Sequence, residues 1–101
     1  MTKLYPFRFK PTFRRYLWGG RRLETVLDKP IGEGEDYAES WEVVDHGQDQ
    51  SVIGFGPLAE TPLGKIVHDY PYDLFGLHGR FDRFPLLFKF LDANRDLSVQ
   101  V

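Results

Sequence analysis

The chain has 101 residues, 42% hydrophobic and 16% aromatic, which suits one small folded domain and excludes an intrinsically disordered segment. Its formal charge of -2 is nearly balanced, and the basic pairs Arg14-Arg15 and Arg21-Arg22 are diluted by aromatic or acidic neighbours, so nucleic acid is not an expected partner. Cysteine is absent, which removes disulfides and thiolate chemistry and fits a cytoplasmic protein, and neither a signal-peptide core nor a run of about eighteen apolar residues predicts export or a membrane span.

Taken in order, Tyr5 to Phe9 predicts a short first strand, with Pro6 at its start and Pro11 ending it. In Phe13 to Gly20 the glycine pair predicts a tight turn that presents Trp18, a residue that is otherwise read as buried core. Leu23, Val26 and Leu27 fall at helical spacing and predict a short amphipathic helix over Arg21 to Leu27, stopped by Asp28-Lys29-Pro30. The acidic loop Ile31 to Tyr37 lacks the spacing of a calcium loop and reads as solvated. Ala38 to His46 reads as a strand with Glu39, Trp41 and Val43 on one face and Ser40, Glu42 and Val44 on the other, so Glu39 and Glu42 are not a cooperating acid/base pair.

Gly47 to Gln50 is a turn signal and Ser51 to Phe55 a partner strand, which predicts a hairpin over residues 39–55. A helix follows, with Thr61 as its cap, Pro62 at its first position and Leu63, Ile66 and Val67 as its apolar stripe, ending at Tyr70-Pro71. Tyr72 to Phe75 predicts one further turn. The last stretch reads as a second hairpin: Leu86 to Leu91, a turn in Asp92 to Asp96, then Leu97, Val99 and Val101 alternating with Ser98 and Gln100. Ser98 and Gln100 therefore share one polar face.

The residues' own chemistry is thin. The spacings of His46, His68 and His78 match no local metal motif, and there is no nucleophile elbow and no phosphate loop. Lys89 is equally a salt-bridged core residue or a site lysine. Composition and periodicity alone define a β-rich, aromatic-rich domain.

The ordered blocks Y-P-F-R-F with L-W-G-G, A-E-S-W-E with His46, G-P-L-A with Pro62-Leu63-Gly64, and F-P-L-L-F-K through L-S-V-Q-V resemble the type I mannose-6-phosphate isomerases. The resemblance spans Tyr5 to Val101. It implies a mainly β fold with short helices, the N-terminal portion of a cupin or jelly-roll barrel, incomplete as given and forming a single segment over residues 1–101 that ends within the metal-site strand. It further implies an aldose-ketose isomerase acting on mannose 6-phosphate and fructose 6-phosphate with one zinc ion. By resemblance Gln100 is a zinc ligand, Trp18, Glu39 and Ser98 line the sugar site, His46 has no zinc role, and the remaining zinc ligands have no counterpart in this chain. One amide oxygen does not hold zinc, because such sites draw on about three or four ligands, so the 101-residue chain by itself is expected neither to bind zinc tightly nor to isomerise sugars. The alternative is a non-enzymatic cupin-like module for sugar binding or oligomerisation. An unpaired edge strand near Val101 would favour a homo-oligomer in either case.

Overall fold

The computed structural model describes residues 3–79 and 81–96. The described elements are β1 (Phe9–Lys10), β2 (Thr12–Gly20), α1 (Arg22–Thr25), β3 (Tyr37–Val43), β4 (Asp45–His46), β5 (Asp49–Gln50), β6 (Val52–Ile53), α2 (Leu63–Asp69), α3 (Pro71–Phe75), a 3-10 turn (Gly76–His78) and β7 (Phe88–Leu91). The protein is thus mainly β with short helices, as the resemblance implies, and the described strands do not close a barrel. The expected strand Leu97 to Val101, with Ser98 and Gln100, lies outside the described residues.

The chain forms two compact units, Met1–Pro11 with Glu42–Phe88, and Thr12–Trp41 with Lys89–Val101. In the first unit Val44, Ile53, Leu63, Ile66 and Val67 are buried. Leu63, Ile66 and Val67 supply the apolar stripe of α2, and each such side chain contributes about 1.5–3 kcal/mol on burial. Tyr70, at φ -130 and ψ 47, leaves the helical region before Pro71, whose ring disfavours a helical conformation in the residue it follows.

The start of α2 differs from expectation. Pro62, not Thr61, is its N-cap, and no side chain of the cap residue bonds the helix. A remote group takes that role: Gln50 Oε1 accepts the Gly64 N–H at 2.7 Å, while Gln50 Nε2 donates to Asp45 Oδ1 at 2.6 Å. The hairpin expected over residues 39–55 is also divided. β4 and β5 pair around Gly47, at φ 60, whereas β6 pairs antiparallel with β1, Phe9 opposite Ile53. The first strand meets the expected Tyr5 to Phe9 only at Phe9 and runs on to Lys10. Tyr5 instead packs edge-on against Phe7 and Phe55, and its hydroxyl donates to Phe55 O at 2.7 Å and accepts from Leu58 N at 2.9 Å.

The second unit is built on the sheet order β2-β3-β7. Thr12 faces Trp41, Phe13 faces Ser40 and Arg14 faces Glu39, after which the register slips until Gly20 faces Tyr37. The glycine pair is therefore part of β2 and not a turn. Its function is close approach: a Cβ on Gly19 would lie 2.5 Å from the Tyr37 carbonyl carbon. Of the apolar residues expected to bury one face of the first helix, only Leu23 does so, and Val26 and Leu27 are exposed. The helix is a single turn, too short to present three residues to one core.

Candidate functional site

Glu39 lies on β3 and is 8% exposed. Successive strand side chains alternate in direction, so Trp41 shares its face, and the indole Nε1–H donates to Glu39 Oε1 at 2.6 Å. From β7, Lys89 places its ammonium 3.3 Å from Glu39 Oε2 and 5.4 Å from the Trp41 ring centre. Arg14 on β2 lies directly opposite Glu39, but its guanidinium sits over the diagonal Trp41 ring at 4.5 Å. The result is a buried carboxylate and two cations gathered around one indole. Both carboxylate oxygens are engaged, and since each can accept more than one hydrogen bond, acceptor capacity remains for ligand hydroxyls. Lys89 is the solvent-reaching member, with its side chain one-third exposed.

Trp18 on β2 has other partners. It is half-buried, stacks on Tyr16 with ring centres 5.7 Å apart, and its carbonyl accepts the Arg95 N–H at 2.9 Å. Ser98 and Gln100 lie outside the described residues. His46, His68 and His78 are all exposed, and His68 Nδ1 is 2.9 Å from Asp69 Oδ1. That contact and Lys65, at 2.9 Å, hold the Asp69 carboxyl below its ordinary range. Among the described residues no three histidine, aspartate or glutamate side chains converge, so these residues do not themselves fit a metal centre.

The residue that sequence reasoning missed is Asp92. It opens the expected turn Asp92 to Asp96 with no role given to it there, yet it is 3% exposed. Its Oδ2 accepts the Arg22 N–H at 2.8 Å, and its Oδ1 accepts from Arg22 Nε and Nη2, each at 2.7 Å. The only local signal for it is its place straight after the apolar run ending at Leu91, where the chain is still leaving the sheet.

Residues 6–101 match the type I phosphomannose isomerase catalytic domain, and the chain belongs to that family. Among its relatives, the probable mannose-6-phosphate isomerase GmuF of Bacillus subtilis (strain 168) is 40% identical over 98 residues, covering 96% of this chain and 30% of that protein. Mannose-6-phosphate isomerase ManA of the same organism is 40% identical over 101 residues, covering 95% of this chain and 29% of that protein. The crystal structure of the mannose 6-phosphate isomerase from Bacillus subtilis matches with a TM-score of 0.77 at 31% identity, over 87% of this chain and 27% of that one. The chain spans less than a third of the length of these relatives.

Proposed function

We propose that this chain is the N-terminal segment of a cytoplasmic cupin-type isomerase that interconverts mannose 6-phosphate and fructose 6-phosphate. Family membership supports the reaction class, and the Glu39–Trp41–Lys89 cluster is the observation that carries the reading to particular residues. Aldose–ketose isomerisation moves a proton between adjacent carbons and builds negative charge on the substrate oxygens. Glu39 accepts hydrogen bonds from sugar hydroxyls, and Lys89 offers its charge to the oxygens that gain it. Trp18 and Ser98 are the further sugar contacts. A zinc ion, with Gln100 as one donor, belongs to this reading for the complete polypeptide; the described residues supply no donor set for it, and tight zinc binding is not expected of the 101-residue chain.

The test uses the full polypeptide of which this chain is a part. It should isomerise mannose 6-phosphate, and Glu39→Gln or Lys89→Met should lower kcat/KM by at least about tenfold, an ordinary loss for one transition-state contact. Gln100→Leu should lower metal content and activity together. A wild-type polypeptide inactive on both sugar phosphates ends the reading. Strand β7 also supports self-association of the 101-residue chain, since Phe88, Phe90 and Leu91 are each about half exposed. A monomeric mass by light scattering would remove that part.

A further inference from the structure

Burying a carboxylate is expensive, and a buried ion pair is weak evidence of net stabilisation. Asp92 is nevertheless the most buried carboxylate among the described residues, and it is held by three directional donors from Arg22. What those bonds secure is the placement of residues 92–95. The Asp92 N–H donates to Ala38 O at 2.7 Å, next to Glu39 on β3, and the Arg95 N–H donates to Trp18 O at 2.9 Å on β2. Gly20 lets this segment come close: a Cβ there would stand 2.9 Å from Asn94 Cβ and 3.0 Å from Asp92 Oδ2.

We infer that Asp92 is a positioning residue for Trp18, acting through the Arg22 clamp and the Arg95 to Trp18 hydrogen bond. The step from Trp18 to sugar rests on the isomerase reading above; the step from Asp92 to Trp18 does not. Asparagine is the informative substitution. It keeps the shape, but whichever way the amide is turned, its NH2 group faces donors of Arg22, either the backbone N–H or the guanidinium. The clamp opens without leaving a cavity, and residues 92–95 lose the anchor that holds the Trp18 carbonyl.

The chain labelled with 5-fluorotryptophan has two fluorine resonances, from Trp18 and Trp41. Asp92→Asn should shift or broaden the Trp18 resonance and leave that of Trp41 in place, and Gly20→Ala, which crowds the same segment and keeps the charge, should do likewise. Asp45→Asn alters a buried carboxylate with unrelated partners and should leave Trp18 unmoved. In the full polypeptide, Asp92→Asn should raise KM for mannose 6-phosphate about tenfold with kcat changed by less than about twofold, whereas simple loss of folded protein lowers apparent kcat at constant KM. A Trp18 resonance unmoved in both variants overturns the inference, whereas a moved resonance with an unchanged KM removes Trp18 as a sugar contact and leaves its positioning by Asp92 standing. Should Asp92→Asn fail to fold, Gly20→Ala decides on both measurements. A wild-type polypeptide without isomerase activity would remove the sugar reading alone, and the fluorine resonance would still decide whether Asp92 positions Trp18.

Discussion

Replacing Lys89 by methionine should cost more stability than replacing Glu39 by glutamine, although each removes the same 3.3 Å ion pair. The asymmetry follows from burial, since the Lys89 side chain is 33% exposed and that of Glu39 only 10%. In Lys89→Met the carboxylate stays in its buried place with the Trp41 N–H as its remaining described donor. Stranding one member of a fully buried pair costs about 3–5 kcal/mol, and an exposed pair is worth about 0.2–1 kcal/mol, so a lysine one-third exposed places the loss near 2 kcal/mol, roughly midway. In Glu39→Gln the amide oxygen still accepts from Trp41, the desolvated charge is gone and the lysine turns to water, so the change should stay within about 0.5 kcal/mol. The double variant strands nothing and should lose less than about 1 kcal/mol, giving a coupling of at least about 1 kcal/mol. Urea denaturation of the four proteins reads this directly: with a slope of about 1.5 kcal/mol per molar, Lys89→Met lowers the midpoint by more than about 1 M and Glu39→Gln barely moves it. Greater damage from Glu39→Gln, or two losses that simply add, would contradict this asymmetry.

Asp45 is 8% exposed and accepts from Gln50 Nε2 at 2.6 Å and from Phe84 N at 2.8 Å, so Asp45→Ala, which leaves the Phe84 N–H unmatched and the Gln50 amide with only its 3.1 Å bond to Gly47 O, should cost about 1–3 kcal/mol by the same denaturation assay. Tyr5→Phe removes the hydroxyl between Phe55 O and Leu58 N, and should cost about 1–2 kcal/mol and speed hydrogen exchange at the Leu58 amide selectively. The Asp69 carboxyl titrates below its unfolded value because His68 first, and Lys65 second, bond it. Its stabilising contribution is therefore present above the unfolded carboxylate value of about 3.9 and is lost as pH falls through the lower folded value. In an NMR titration, His68→Gln should raise the Asp69 titration point more than Lys65→Met does.

Features set by neighbours in sequence were legible in advance. Alternation along a strand places Glu39 and Trp41 on one face, and their side chains do bond. The stripe of α2 and its break at Pro71 follow equally from local pattern. Contacts that depend on register across loops were not legible. Nothing near Val52 distinguishes pairing with β1 from the expected pairing with Ala38 to His46, because a two-residue strand carries too little alternation to choose a partner. The glycine pair misled for a related reason. A Gly-Gly step is equally suited to a turn and to close strand approach, and only the neighbouring Tyr37 backbone decides between them.

The buried carboxylates show why the site itself was only partly legible. In sequence, Glu39, Asp45 and Asp92 are acidic residues in or beside short β segments, and none stands out by composition. In the fold they differ in how fully they are matched. Asp92 takes three donors at 2.7–2.8 Å, and Asp45 takes an amide and a backbone N–H at 2.6 and 2.8 Å. Glu39 takes one short bond from Trp41, while its cation stands off at 3.3 Å, beyond the roughly 2.7–2.9 Å of a close charge-assisted contact, on a side chain that reaches solvent. A carboxylate whose counter-charge is loose and exposed can exchange that partner for a ligand at little cost, whereas one saturated by backbone and guanidinium donors cannot. Saturation thus separates Asp92 and Asp45, which are matched by close donors, from Glu39, to which the proposed function gives the sugar, and the separation depends on donors up to 70 residues away along the chain.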